Sequence, residues 1–302
     1  MTASAIWTDW SCRVRVTVTR PDALMAAKQQ VVALMADVAL SADRFTATSD
    51  VSRVNRAAGR LVPVRRRTME LLDVALAAAE ESGGAVDPTI GAHLLRAGYA
   101  DDITAVRDLL VMTDDEPLPR ADWTSVRTDR TLSLVGLPTD VSLDLGATAK
   151  AWTADVAARR VARSLDTAVL VEIGGDVAIA GSRSRPWQVQ VSERSGEPGQ
   201  PVGLERGGLA TSSTISRRWR TPSGAAHHVI DPRTGRPAEG PWRTVTVWAP
   251  TAVRANTAST AALVLGDDAV PHLHSLDVAA RLVGRDGTVQ HVGDWPAETR
   301  AA

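Results

Sequence analysis

Polar and apolar residues alternate strictly over 13 to 19 (Arg13-Val14-Arg15-Val16-Thr17-Val18-Thr19), the period of a strand with one solvated face. The period then changes. From Pro21-Asp22 to about residue 40, Leu24, Val31, Leu34 and Val38 recur on one side of a helix. Residues 68 to 82, rich in Leu, Ala and Glu, predict a second helix closed by Gly83-Gly84. Between these helices, Ser49 or Asp50 can N-cap a short helical turn that ends near Asn55. Residues 114 to 122 read as a loop and 123 to 136 as a hairpin. Residues 141 to 145 read as a strand that passes through a glycine turn into a helix ending near 164. Apolar or alternating runs at 168 to 173, 187 to 191 and 244 to 249 predict strands, 251 to 265 an Ala-rich helix starting at Thr251, and the tail to Trp295 a closing strand pair. No repeat or low-complexity linker divides residues 1–302, so the expectation is one large α+β domain with strands in its core and helices outside.

Composition narrows this picture. At 302 residues, 44% hydrophobic and 23% charged, the chain can bury a large core. A net charge of −1 argues against a broad nucleic-acid footprint, so no nucleic-acid partner is expected. Nine Trp stand against one Phe and one Tyr, and a tryptophan more often packs than stacks on a cofactor. The single Cys12 supplies neither a disulfide nor a thiolate metal site and reads as a small buried residue of the first strand. No apolar run approaches the length of a membrane span, and the N-terminus lacks a basic segment followed by an apolar one. The expectation is therefore a soluble, cytoplasmic protein.

Candidate chemistry gathers in turns. His227-His228-Val229-Ile230-Asp231-Pro232-Arg233-Thr234-Gly235 brings imidazole, carboxylate, guanidinium and hydroxyl into one short reach. The turn suits acid–base work, or a phosphate held by Arg233 and backbone N–H groups; equally, it suits a plain β-turn with surface charges. Ala85-Val86-Asp87-Pro88-Thr89-Ile90-Gly91 repeats the Asp-Pro-x-Thr device. Asp144-Leu145-Gly146 opens a helix whose first N–H groups suit an anion, with Lys150 adding charge, although the glycine spacing is neither a Walker loop nor G-x-G-x-x-G. Thr211, Ser212 and Ser213 precede the basic run Arg217-Arg218-Trp219-Arg220, which reads more readily as a solvated strand face than as a binding patch.

In order, these stretches resemble the motifs of the ApbE family, the FAD:protein FMN transferases. S-x-x-S-x-x-N is similar to Ser49 to Asn55, F-D-P-T-I-G to Val86 to Gly91, and D-L-G-G-I-A-K-G to Asp144 to Ala151. I-G-G-D is Ile173 to Asp176, A-T-S-G matches Ala210 to Ser213 in three of four places, and H-I-I-D-P-R-T-G matches His228 to Gly235. A-P-T-A-x-x-A-D-A-x-x-T matches Ala249 to Thr260. The resemblance implies an ApbE-type, T-fold-like α+β domain with a mixed or antiparallel β core. It also implies Mg²⁺-dependent movement of the FMN half of FAD onto a Thr or Ser hydroxyl of an acceptor flavoprotein, releasing AMP. By that resemblance Asn55, Ala85, Val86, Asp87, Asp144, Lys150 and the backbone of Ile230 hold FAD. The carbonyl of Ala147 and the side chains of Asn256, Ser259 and Thr260 face the metal. His228 assists deprotonation of the acceptor or merely closes its turn.

Several positions depart from the family. Asn256 stands where the family has a carboxylate, and Mg²⁺ prefers charge. Trp10-Ser11-Cys12 replaces M-G-T, Ser213 replaces a glycine, and Thr214 and Ile215 replace the usual Asp and Tyr. Either a nearby carboxylate such as Asp231 or Glu172 then compensates in a rebuilt metal site, or activity is weak. Two other outcomes fit the residues: a flavin-binding protein without transfer, and an FAD pyrophosphatase giving FMN and AMP.

Overall fold

A computed structural model describes residues 1–113, 118–194 and 196–296, which form two compact units. One comprises residues 1–35, 150–216 and 240 onward, and the other residues 36–149 and 217–239. Within the loop expected over 114 to 122, residues 114–117 lie outside the described ones.

The first unit is built on an eight-stranded sheet whose strands lie side by side in chain order: Ala3–Asp9, Cys12–Val18, Val169–Ile173, Asp176–Ala180, Gly208–Ser213, Trp242–Ala249, Ala279–Gly284 and Val289–Val292. Every neighbouring pair is antiparallel. The alternation at 13 to 19 acts as expected. Val14, Val16 and Val18 are buried opposite Ile173, Val171 and Val169, while Arg13 and Arg15 turn away and pair with Glu172. The first strand is nevertheless Ala3–Asp9, whose small and polar residues give only weak alternation. It joins the second through Trp10 and Ser11, both at positive φ (48° and 53°), the twist a two-residue hairpin requires. Cys12 is therefore not a buried residue of the first strand; it opens the second, half-buried, its thiol donating to the Asp9 carbonyl at 3.2 Å.

The helix Ala252–Leu265 packs on the strands Gly208–Ser213 and Trp242–Ala249. Its Ala252, Ala255, Ala258, Ala261 and Ala262 are all buried, since small side chains let a helix approach a sheet closely. Its N-terminus is fixed twice. Thr251 accepts from the Arg254 N–H at 3.1 Å, and buried Asp155 accepts from Ala252 and Val253 at 3.0 and 3.1 Å. Burial raises the Asp155 pKa above the ordinary carboxylate value, and the two N–H bonds oppose that shift.

The second unit holds the helix Arg66–Glu81, the three-stranded sheet of Val62–Pro63, Leu134–Gly136 and Arg127–Asp129, and the hairpin Arg218–Thr221/Gly224–His227. Ser49 caps the helix Asp50–Asn55 by accepting from Ser52 N–H at 3.1 Å. Asp50 is fully buried instead, where it accepts from Arg53, from the side chain and N–H of Arg65, and from Thr68, all within 3.0 Å. In the basic run Trp219 is buried while Arg218 and Arg220 face solvent, the solvated strand face. The strand expected over 141 to 145 is absent. That segment is irregular and tied to neighbouring turns, with a single bridge from Ser142 to Ile90.

One expectation about membranes is corrected. Pro21–Ala42, 22 residues at a mean hydropathy of 1.3, is long and apolar enough to cross a membrane. Ala27, Val31, Leu34, Met35 and Val38 are buried along one face while Met25 and Leu40 are exposed, the one-sided burial of a core helix.

Candidate functional site

In the first unit hydroxyl, amide and carboxylate side chains of three chain segments converge. Asn256 sits one turn before Thr260 on the helix Ala252–Leu265, and its amide bridges two elements. The Nδ2 donates to Asp176 Oδ1 at 2.8 Å, and Oδ1 accepts from the Thr260 hydroxyl at 3.4 Å. Ser212 shares hydrogen bonds of 2.8 Å with both Ser259 and Thr260, and Ser259 donates to the Asn256 carbonyl at 3.1 Å. Asp176, Asn256 and Ser259 are all buried, with Asp176 only 1% exposed.

Of the two carboxylates expected to make up for Asn256, Glu172 is engaged by Arg13 and Arg15, and Asp231 by Arg233. The carboxylate in contact with Asn256 is Asp176, the last residue of the I-G-G-D motif. Among the described residues no three His, Cys, Asp or Glu side chains gather into a metal centre. The cluster is instead one carboxylate with an amide oxygen and three hydroxyls. Hard oxygen donors of this kind fit Mg²⁺ rather than a soft metal. The remaining hydroxyls of the run are engaged within the sheet, Thr211 with Thr246 at 2.9 Å and Ser213 with Thr244 at 3.2 Å.

In the second unit each Asp-Pro turn is held by its own aspartate. Asp87 accepts from the N–H and hydroxyl of Thr89 at 2.7 and 2.6 Å, and from Trp123 N–H at 3.1 Å. Burial raises the Asp87 pKa, and these donors work against it. The N–H of Val86 donates to the Ser82 hydroxyl and that of Ala85 to the Ser82 carbonyl, so both are engaged inside the turn. In the other turn Asp231 takes Arg233 through a two-pronged ion pair and accepts the Arg233 N–H. A phosphate held by Arg233 would have to compete with that pair, which makes the turn primarily a self-contained one. Gly235 lies at φ 69°, and a Cβ there would stand 2.4 Å from the ring of His93. His93, absent from the sequence reading, thus joins the two Asp-Pro turns. It is buried, its Nε2 lies 3.0 Å from the Pro119 carbonyl, and burial lowers its pKa.

Asn55 and Asp144 belong to one construction. The Asn55 amide clamps Leu143 from both sides, donating to its carbonyl at 3.0 Å and accepting its N–H at 2.7 Å. Asp144 follows, its Oδ1 accepting the Gly146 N–H at 2.7 Å and its Oδ2 paired with Arg44 Nε at 2.7 Å. The helix start expected to serve an anion is therefore partly served by the chain's own carboxylate. Gly91 permits this arrangement, because a Cβ there would meet the Ser142 and Leu143 carbonyl oxygens at 2.7 and 2.8 Å. Arg44 lies over the rings of Phe45 and Tyr99, the sole Phe and Tyr of the chain, at 4.1 and 4.7 Å. Tyr99 stacks on Trp219 at 5.0 Å.

Four further candidates are placed simply. Ala147 and Lys150, both half-buried, lie in the opening turns of the helix Gly146–Leu165. His228 is half-buried just after the strand Gly224–His227, and Ile230 is buried where its backbone pairs with Pro237. Ser212 and Asp176 lay inside motifs singled out above but carried no assigned role, and Arg44 gave no signal at all.

Fold and site define an α+β protein with an antiparallel sheet and an all-oxygen cluster suited to a hard cation. The ApbE family model matches residues 8–282, and the chain belongs to that family. It is 34% identical over 280 residues to the FAD:protein FMN transferase of Treponema pallidum, covering 84% of this chain and 76% of that one. It is 26% identical over 256 residues to the FAD:protein FMN transferase of Haemophilus influenzae, covering 80% and 72%. Among solved structures, the ApbE protein of Thermotoga maritima superposes with a TM-score of 0.85 at 26% identity over 97% of each chain. The Pseudomonas stutzeri flavinyl transferase ApbE, at 22% identity and a TM-score of 0.79 over 97% and 95%, shares the fold.

Proposed function

We propose that this chain is an Mg²⁺-dependent FAD:protein FMN transferase whose acceptor is a Thr or Ser hydroxyl of a flavoprotein. The observation that carries the reading is the 34% identity to a relative of that name over 84% of the chain. The oxygen cluster around Asn256 supports it chemically, because transfer between phosphates asks for positioning and charge neutralisation more than for covalent chemistry.

In this reading the acceptor oxygen attacks the FMN phosphorus of FAD, the bond from that phosphorus to the bridging oxygen breaks, and AMP leaves with it. The hydroxyl proton passes to a base, for which His228 is the candidate. Asp176, Asn256 Oδ1 and the hydroxyls of Ser212, Ser259 and Thr260 would hold Mg²⁺. When bound, the ion supplies charge neutralisation for the phosphates. The Asn55 clamp and the Arg44 pair hold Asp144 and the following helix start in one conformation, and the Asp87 and Asp231 turns do the same for their segments. Lys150 adds a cation at that helix start.

The test is AMP release from FAD by the purified protein across a Mg²⁺ titration, with and without a flavoprotein acceptor. Transfer predicts AMP release that depends on the acceptor, together with a flavin bond to it that survives denaturation. AMP and free FMN in equal amounts without acceptor would make the chain a pyrophosphatase, and FAD binding without AMP would make it a flavin-binding protein.

A further inference from the structure

Basic residues are distributed unevenly along this near-neutral chain. Between 53 and 67 stand six arginines and no acid. Three of them, Arg53, Arg56 and Arg60, line an open cleft of about 460 Å³, whose other wall is Leu61, Val62 and Pro63. The arginine charge here is largely uncompensated. Arg53 shares the single carboxylate of Asp50 with Arg65. Arg56 donates to the carbonyls of Ser52 and Ala47, and Arg60 to that of Ala57, all neutral partners. No ion pair joins Arg56 or Arg60 to a carboxylate among the described residues. These arginines are exposed, as are Leu61 and Pro63.

We infer that this cleft docks an acidic, extended segment of the acceptor protein, an inference that rests on the transferase reading above. Three features choose that occupant. First, the charges are strung along the chain at 53, 56 and 60, which suits a row of carboxylates better than one phosphate. Second, the apolar wall includes an outer strand of the three-stranded sheet, Val62–Pro63, so an extended peptide can lie along an edge with apolar side chains against Leu61 and Pro63. Third, the lining holds no aromatic ring on which a nucleic-acid base would stack. The cleft residues are also neighbours in sequence of the Asn55 clamp described above. Arg53 and Arg56 flank Asn55, and the Asn55 amide holds Leu143, the residue before Asp144. A segment docked on the arginines would therefore bind the same short helix that carries the Asn55 clamp.

The probe is a fluorescein-labelled heptapeptide of alternating Glu and Leu, titrated against the full chain by anisotropy. Its Gln/Leu and Lys/Leu counterparts and an oligothymidylate serve as comparisons. The acidic peptide is expected to bind most tightly and to weaken as salt rises. Arg56→Gln with Arg60→Gln should weaken it at least tenfold, and the double Glu variant further. The Gln pair provides the reading if charge reversal prevents folding, with circular dichroism as the check. Equal binding by wild type and the Gln variant, no binding by wild type, or tighter binding of the oligothymidylate overturns the proposal. AMP release from FAD by wild type with a flavoprotein acceptor is measured in parallel, without peptide. No peptide binding by wild type with its AMP release intact removes the docking cleft alone, whereas AMP release absent with peptide binding intact removes the transferase reading and with it the identity of the partner.

Discussion

Restoring the family's carboxylate, Asn256→Asp, tests the oxygen cluster directly because the structure fixes what the new charge would face. The Asn256 amide nitrogen lies 2.8 Å from Asp176 Oδ1, and both residues are buried. The substitution turns a hydrogen bond into two carboxylates in contact. Two unit charges about 4 Å apart at an effective dielectric near 20 repel by about 4 kcal/mol, and taking up a proton relieves part of this. One carboxyl of the pair then has its pKa raised in the folded state. The cost is absent below the unfolded value of about 4, grows as pH rises towards the folded value, and is complete above it. At pH 8 without Mg²⁺ the variant should lose about 2–4 kcal/mol relative to wild type. At about 2 °C per kcal/mol for a chain this long, that is a drop in Tm of about 4–8 °C, shrinking as pH falls towards 4. Mg²⁺ should reverse the loss, since a ligand at a hundred times its Kd returns about 2.7 kcal/mol. Differential scanning calorimetry at two pH values, with and without Mg²⁺, reads all four states. A variant that melts with wild type at pH 8 without metal means the two side chains are not in contact. A variant that melts lower and is not rescued by Mg²⁺ means the cluster does not hold the ion, whatever the AMP assay gives.

Asp176→Asn removes the one carboxylate of the cluster, so any rise of Tm with Mg²⁺ in the wild type should vanish and the Mg²⁺ concentration for half-maximal AMP release should increase at least tenfold. Asn55→Ala leaves the backbone of Leu143 without its clamp and should cost about 1–3 kcal/mol in urea unfolding, with weaker FAD binding by calorimetry; unchanged values would make the clamp incidental. His93, with its pKa lowered by burial, contributes stability that is complete above the unfolded value of about 6.5 and lost as pH falls through it towards the folded value; His93→Gln should flatten that acid-side loss in a series of melts. Lys150→Met should weaken FAD binding about tenfold or more, a loss of about 1.5–3 kcal/mol. Equal affinity in a folded variant would make Lys150 an ordinary solvated helix residue.

What could be read from the sequence divides by distance along the chain. The alternation at 13 to 19, the helical face from Leu24 to Val38 and the Thr251 cap are written in neighbouring residues, and the structure carries them. So are the Asp-Pro turns, whose carboxylates bond two residues onward to Thr89 and Arg233. The contacts that build the site span much longer separations. Asn55 holds a backbone 88 positions away, and Asp176 holds an amide 80 positions away. One sequence records that Asp176, Asp231 and Glu172 are carboxylates, but not which of them Asn256 meets. Arg44 was illegible for the same reason, since its partners Asp144 and Tyr99 are brought to it by the fold. The strand over 141 to 145 failed differently. Its residues suit a strand, but Asn55 and the Asp87 turn engage the backbone groups a ladder would need, with Gly91 N–H donating to Ser142 and Asp144 N–H to Pro88.

The loss of one carboxylate also changes how the cluster rests without metal. Two buried carboxylates in contact repel, so a cluster of that composition is stable only with a proton or a cation between them. Here the Asn256 amide donates to Asp176, Ser212 satisfies Ser259 and Thr260, and Thr260 in turn donates to Asn256. The oxygens are thus already engaged with one another, and an incoming cation must exchange those hydrogen bonds for coordination. A single carboxylate offers a divalent ion half the charge it would find in the family's composition, and an amide oxygen adds none. Under the proposed transferase reading the missing charge comes with the substrate, because FAD brings two phosphates of its own. Metal binding should then be weak alone and tight with FAD, each raising the affinity of the other by the same factor. Calorimetric titration of Mg²⁺ with and without FAD measures that factor, and a value near one would show that the cluster serves the fold and not the cation.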